Sequence, residues 1–252
     1  MAINATIEDG IATITLSHPP LNILTRAVMA ELREALGRLE GETELRALLL
    51  AADGKHFSAG ADVGEHLPPE HEQLIPEFLD TIATIDRFPV PVIAAVRGRC
   101  LGGGFELVQA ADLVVAGEGA AFGQPEIVLG VIAPAACALL PQRIPPGPAA
   151  ELVLTGDPIT AQRAHEIGLV ARIVPDNRVE EEARELARRI ARHSAAAVRL
   201  TKRALRSESI ARGAAALERA GEIYLTELMQ THDALEGLQA FLDKRQPTWT
   251  HR

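Results

Sequence analysis

Cysteine, basic charge and long apolar runs are all scarce in this chain, and each scarcity removes a class of protein. Only Cys100 and Cys137 are present. Two thiols do not make the framework of a small secreted domain, and they read as reduced cytosolic residues. No apolar run reaches the roughly 20 residues that a membrane-spanning helix needs, so no membrane partner is expected. The start, Met1-Ala2-Ile3-Asn4, has no basic segment followed by an apolar core, so a cytoplasmic protein without a signal peptide is expected. The net charge is −9. Phosphate backbones are held by basic surfaces, so nucleic acid is not an expected partner. A local basic pocket for a small phosphorylated ligand stays open.

Several chemical signatures are missing as well. The glycine triplet Gly102-Gly103-Gly104 has neither the spacing of a dinucleotide site nor the lysine of a phosphate loop. The histidines form no metal-binding pair on a helix, and no metal site is assigned. Ser58 lacks the glycine context of a hydrolase nucleophile. The two cysteines read as packing residues. There is no internal repeat and no low-complexity linker.

What is there is ordinary globular material, 47% hydrophobic and 23% charged over 252 residues, which suffices for a sizeable core. Ala5–Glu8 and Ile11–Leu16 alternate around Asp9-Gly10, which predicts a hairpin. Helical periodicity runs from Thr25 to Leu39. Leu45–Ala51, Val90–Val96, Leu113–Ala116 and Leu169–Val174 read as strands. Phe78–Phe88, Phe105–Ala111, Ala135–Leu140, Pro148–Thr155 and Ala161–Ile167 read as helices, with Pro134 just inside the start of its helix. Gly64 to Pro76 is polar and proline-punctuated, and reads as a mobile loop or lid. From Val179 onward the pattern is helical almost to the end. The basic residues from Arg184 to Arg206 read as a solvated face. Strands alternating with helices, then helices alone, give an α/β core with a helical C-terminal portion.

The chemistry concentrates between Val96 and Pro134. The glycine triplet follows an apolar strand and opens a helix, where backbone N–H groups are unpaired at the positive end of the dipole. Such groups can hold an oxyanion. The small-residue run Ser58-Ala59-Gly60-Ala61-Asp62 could supply a second donor. Glu106 sits in the helix's first turn among apolar neighbours, which favours a raised pKa. Glu126 follows a second apolar run and Pro125. Two such carboxyls beside an oxyanion site suit general acid–base work on a carbonyl compound.

The runs Phe57-Ser58-Ala59-Gly60-Ala61-Asp62, Pro91 to Val96, Leu101-Gly102-Gly103-Gly104-Phe105-Glu106-Leu107, Phe122-Gly123-Gln124-Pro125-Glu126-Ile127, Leu154-Thr155-Gly156-Asp157 and Gly168-Leu169-Val170 occur in order at compatible spacing. Together they resemble the enoyl-CoA hydratase/isomerase (crotonase) superfamily over nearly the whole chain. The resemblance implies a spiral of ββα units over residues 1–190 and a C-terminal helical trimerisation region over 191–252. It implies a homotrimer or a dimer of trimers, and an acyl-CoA thioester substrate. Coenzyme A would be part of that substrate, with no separate cofactor.

By the same resemblance the N–H groups of Ala61 and Gly103 form the oxyanion hole. Glu106 activates water and Glu126 handles the α-proton. Ala59, through its carbonyl against the adenine, with Gly60, Asp62 and Gly102, contributes to substrate and CoA binding. Phe241 and Lys244 match tail positions that help bind CoA across a subunit boundary in relatives. Ordinary hydratases follow the second glutamate with Pro-Gly-Ala-Gly-Gly, whereas this chain has Ala133-Pro134-Ala135-Ala136-Cys137. Pro134 has no N–H, so a backbone donor that could orient the water is absent there, and the pocket wall is bulkier. The run Gln124-Pro125-Glu126-Ile127 through Gly130-Val131 to Pro134, and Asp62-Val63-Gly64-Glu65-His66, are similar to the hydratases of cyclohexa-1,5-diene-1-carbonyl-CoA. The expectation is hydration of an enoyl- or cyclic dienoyl-CoA. Double-bond isomerisation with one glutamate, and acyl-CoA binding without catalysis, are the alternatives.

Overall fold

A computed structural model describes residues 1–251. The expected hairpin is β1 (Ile3–Glu8) and β2 (Ile11–Leu16), and both turn residues, Asp9 and Gly10, have positive φ. Helix α1 (Arg26–Glu40) starts where the Thr25 hydroxyl accepts from the Val28 N–H. Then come β3 (Ala47–Ala52), α2 (His71–Asp86), β4 (Val92–Val96), β5 (Arg99–Leu101), α3 (Gly103–Ala110), β6 (Leu113–Gly117) and β7 (Ala121–Gly123). A 3-10 turn, Pro125–Leu129, leads to α4 (Pro134–Arg143), α5 (Pro146–Thr155), β8 (Ile159–Thr160), α6 (Ala161–Glu166) and β9 (Arg172–Val174). Helices α7 (Val179–Ala191), α8 (Ala195–Glu222) and α9 (His232–Leu242) complete the chain. No helix of the described residues is long and apolar enough to cross a membrane.

The main sheet has the order β1-β2-β3-β4-β6-β9, parallel except for the β1/β2 hairpin. Strands β3 and β4 are buried on both faces, which explains their continuous apolar runs. Their alternation divides the core. Leu48, Leu50, Ala94 and Val96 pack with α1, α2 and α3, whereas Leu49, Ala51, Ile93 and Ala95 pack against Val179, Ala183 and Ala187 of α7. A second, three-stranded sheet, β5-β7-β8, carries the segments that matter for chemistry. The architecture is the expected α/β core, with helices gathered at the C-terminal end.

Three expectations fail here. The segment from Gly64 to Pro76 is not an open loop. A 3-10 turn covers Gly64–His66, and α2 begins at His71 and runs through Pro76. Pro76 removes one helical donor. The buried stripe of Leu74, Ile75, Phe78, Ile82 and Ile85 holds the helix together across it. The basic C-terminal residues are not all solvated either. Lys202 and Arg206 are buried. Lys202 Nζ donates to Asp112 Oδ2 at 2.6 Å and to the Val90 carbonyl at 3.0 Å. Arg206 reaches Asp112 at 2.9 Å and also binds Asp86. These pairs fasten α8 to the core, because a buried cation must find a partner. Of the two cysteines, Cys100 is buried as expected and Cys137 is exposed.

Candidate active site

The second sheet brings the sequence motifs together. Strands β5 and β7 are parallel neighbours with Leu101 opposite Gly123, and the Gly102 N–H donates to the Gly123 carbonyl at 2.9 Å. The glycine triplet and the Glu126 turn therefore leave adjacent strands at the same level. Ser58 bridges Cys100 on the other side of β5, so the segment to Ala61 arrives beside the triplet. The Ser58 hydroxyl is committed to this construction: it donates to the Asn22 carbonyl at 2.7 Å and accepts from the Gly60 N–H at 3.1 Å.

Each glycine of the triplet has its own reason. Gly102 has φ +51, and a Cβ there would lie 2.7 Å from Glu126 Oε1. Gly104 would strike the Ser58 side chain at 2.5 Å. A Cβ on Gly103 would sit 3.3 Å from the Ala61 nitrogen and 3.2 Å from the Phe78 ring. The Gly103 and Ala61 amides are thus side by side. Neither donates to any group among the described residues. For Gly103 this follows from its place in the first turn of α3. For Ala61 it follows from the bridge to Leu24, which uses the Gly60 carbonyl and the Asp62 N–H and leaves the Ala61 N–H unused.

A pocket of about 290 Å³ opens at these amides. Ala59, Gly60, Ala61, Gly102, Gly103, Glu106, Glu126, Pro134 and Phe241 all line it. Asp62 and Lys244 lie outside the lining. Asp62 Oδ1 instead caps the next turn by accepting from the Glu65 N–H at 3.2 Å. Phe241, from α9, lines the pocket of its own chain.

The two carboxyls differ in their surroundings. Glu106 is buried, and its Oε1 accepts from the Ala136 N–H at 2.9 Å. Burial raises its pKa to about 7, against the pull of the Ala136 and Ala135 amides. Glu126 has a buried Oε2 without a partner. Burial, and then the charge of Glu106, raise its pKa well above the ordinary value. The arrangement can hold one carboxylate and one carboxylic acid around a thioester-sized cavity.

Sequence reasoning missed the donors on α4. Pro134 does lack an N–H, but it stands at the first helical position, and the next amides serve Glu106 instead. The proline itself was the available signal, since it marks a helix start with free N–H groups behind it. His66, Phe78, Ile132 and Leu238 also line the pocket. His66 ends the Asp62-Val63-Gly64-Glu65-His66 run, whereas Phe78, Ile132 and Leu238 come from segments with no chemical motif. Behind the triplet, Gln124 and Gln109 are buried. With its amide oriented to suit its neighbours, Gln124 donates to the Gly102 and Gly123 carbonyls at 3.1 and 3.0 Å and accepts from Gln109 at 3.1 Å. That bracing holds the two strand ends together.

Comparison with known proteins adds a further line. Residues 6–252 match the family model described as enoyl-CoA hydratase/isomerase. The chain is 41% identical over 245 residues to the cyclohexa-1,5-dienecarbonyl-CoA hydratase of Thauera aromatica, covering 97% of this chain and 95% of that protein. It is 35% identical over 248 residues to the 2,3-dehydroadipyl-CoA hydratase of Escherichia coli, covering 97% of each. Among solved structures, an enoyl-CoA hydratase/isomerase from Pseudoalteromonas atlantica matches with a TM-score of 0.91 at 28% identity, over 99% of this chain and 100% of that one. An enoyl-CoA hydratase from Bacillus anthracis matches with a TM-score of 0.78 at 35% identity, over the full length of both.

Proposed function

The chain belongs to the enoyl-CoA hydratase/isomerase family, and we propose that it adds water to the conjugated double bond of a compact cyclic dienoyl-CoA thioester. The observation that carries this reading is the pair of carboxyls, Glu106 buried and Glu126 half-buried with an unpartnered buried oxygen, sharing one apolar pocket with two unpaired amides. Coenzyme A enters as part of the substrate, and no separate cofactor takes part. The thioester oxygen lies between the N–H groups of Ala61 and Gly103. Glu106, as carboxylate, takes a proton from water while the water oxygen bonds to the electrophilic carbon. The displaced electron pair moves to the thioester oxygen, and the enolate is held by the two amides. Glu126 then gives its proton to the α-carbon, and proton exchange resets the pair. The unequal environments support this assignment. Glu106 has the N–H groups of Ala136 and Ala135 favouring its charged form, whereas at Glu126 only its own backbone N–H works against burial and the charge of Glu106.

The cyclic substrate is supported by the pocket and by the Thauera relative. The cavity is about 290 Å³, and Ile75, Phe78, Val131, Ile132 and Leu238 give it apolar walls. A six-membered ring fits such a space better than a long chain does. A homotrimer or a dimer of trimers belongs to the same reading, and the exposed Leu200 and Leu205 of α8 offer apolar surface for contacts between copies. The test is a panel of crotonyl-CoA, a longer enoyl-CoA and cyclohexa-1,5-diene-1-carbonyl-CoA, followed by loss of the conjugated thioester absorbance. The ring substrate is expected to turn over fastest. Failure of all three would overturn the hydratase reading. Reaction in H₂¹⁸O separates hydration, which incorporates label, from isomerisation, which does not.

A further inference from the structure

Glu126 is the less anchored of the two carboxyls. Among the described residues no other residue donates to its side chain, and its buried Oε2 has no partner. Its place in the pocket is therefore set by the backbone that carries it. That backbone is the 3-10 turn Pro125–Leu129, closed by Gly130 at φ +70. The Gly130 N–H turns back onto the Glu126 and Ile127 carbonyls, and the Val131 N–H donates to the Glu126 carbonyl at 3.2 Å. Whatever fixes Gly130 fixes the Glu126 peptide with it.

The turn rests on α9, backbone against backbone. A Cβ on Gly237 would overlap the Leu129 carbonyl oxygen, and one on Gly130 would lie 2.7 Å from the Asp233 carbonyl oxygen. The Trp249 indole lies across this seam. Its Cζ3 and Cη2 would be 3.0 and 3.1 Å from a Cβ on Gly130, and Cη2 would be 2.9 Å from one on Gly237. Trp249 is 37% exposed, so apolar burial alone holds the ring weakly. A strap of hydrogen bonds to α9 adds to that hold. The Thr248 N–H donates to Glu236 Oε1, and the Thr250 and His251 N–H groups donate to Asp233, each at 2.7 Å. Arg245 also grips Glu236, at 2.6 and 2.8 Å. The Thr250 N–H on Asp233 and the Arg245 guanidinium on Glu236 hold both carboxyls below the ordinary range, so the strap stays tied at neutral pH.

We propose that Trp249 is a positioning residue for Glu126: the indole, tied down by the strap, pins the Gly130 end of the turn against α9 and so fixes where the acid stands in the pocket. Without the ring the seam has a gap and the turn slackens. Glu126 then loses its fixed approach to the α-carbon, because its side chain has no bond of its own to hold it there. The Ala61 and Gly103 amides belong to other elements and stay in place, so the loss falls on proton transfer and not on thioester binding. This inference rests on the reading of Glu126 as the proton donor, but the placement of its carboxyl can be followed without turnover.

The test follows the carboxyl itself. The infrared band of Glu126, acid or carboxylate, is identified by its loss in Glu126→Gln. Trp249→Ala is expected to shift or broaden that band, and Trp249→Phe, which keeps a ring on the seam, to restore most of it. Asp233→Asn, which loosens the strap and keeps the indole, should act in the same direction to a smaller extent. In the hydration assay Trp249→Ala should lower kcat about 10- to 100-fold, the size of a misplacement of up to about 1 Å, with KM nearly unchanged. Calorimetric affinity for the unreactive cyclohexanecarbonyl-CoA should be retained. A Glu126 band unmoved in both Trp249→Ala and Asp233→Asn would overturn the proposal. So would a loss that shows only as raised KM or weaker acyl-CoA binding, or one that Trp249→Phe does not restore. If the unaltered protein hydrates no thioester, the hydratase reading fails alone and the band still decides the positioning.

Discussion

Two pairs of carboxyls, each with one buried and one half-buried member, are treated in opposite ways. Asp86 and Asp112 are met by Arg206, with Lys202 on Asp112 and Arg143 3.8 Å from Asp86. Burial pushes the Asp86 pKa up and these cations pull it back. Glu106 and Glu126 share an apolar pocket in which neither is paired with a cation among the described residues. The first pair is neutralised and ties α8 to the sheet. The second is left partly unsatisfied, so its proton occupancy responds to what enters the pocket. Burial alone therefore does not identify a reactive acid; the absence of a counter-charge is what distinguishes it.

The sharpest way to break the contrast is to neutralise one member of each pair. Glu106→Gln and Glu126→Gln should each lower kcat by about 10²- to 10⁴-fold in the hydration assay. Both variants should fold, because a buried amide replaces a carboxyl that nothing neutralises. Arg206→Ala should do the reverse. It strands Asp86 and should cost about 3–5 kcal/mol of stability, read as a Tm lower by about 2–4 °C per kcal/mol. Gly103→Ala comes next. Its Cβ would lie 3.3 Å from the Ala61 nitrogen and crowd the place of the oxyanion, and a loss of about 10²- to 10³-fold in kcat is expected with little change in Tm.

The pH responses follow in size. Glu106 must be ionised to accept a proton, so kcat/KM should climb as pH rises toward about 7. It should fall again once Glu126 loses the proton it donates. The two limbs belong to the coupled pair and not to either residue alone. Stability has its own sign. Burial raises both pKa values, so the folded chain binds more protons than the unfolded chain above the ordinary value of 4.5. That contribution is full below 4.5 and is lost as pH rises through about 7. Glu106→Gln removes its share of the loss. Its Tm relative to the unaltered protein should therefore rise between about pH 5 and about pH 8. The smallest effect is expected from Pro134→Gly, which leaves the Ala136 donor in place and should lower stability by about 1 kcal/mol through chain entropy.

Much of this was legible in the residues. The hairpin around Asp9-Gly10, the buried strands β3 and β4 and the helix after the glycine triplet all have local causes, in turn chemistry and apolar pattern. The nearness of Glu106, Glu126, Gly103 and Ala61 followed from resemblance, and the β5–β7 pairing supplies its physical basis. What could not be read depends on distant partners. Pro76 suggested a loop because the buried stripe that carries α2 through it is visible only once the sheet is present. Lys202 and Arg206 resembled any exposed basic residues because their acids lie far back in the sequence. Ile132 and Leu238 have no motif, and only the fold brings them to the same pocket.

The tail of the chain has one more consequence. Thr248 donates to Glu236, and Thr250 and His251 donate to Asp233, so the last described residues are strapped to α9. Trp249 is thereby wedged between two glycines: a Cβ on Gly130 would lie 3.0 Å from its ring, and one on Gly237 would lie 2.9 Å away. Gly130 closes the turn that carries Glu126, and α9 carries Leu238 and Phe241 of the pocket wall. It is also the single tryptophan of the chain. The protein thus contains its own optical reporter, one indole resting on both walls of the acyl pocket. Its emission should register ligand entry directly, without a label and without waiting for chemistry.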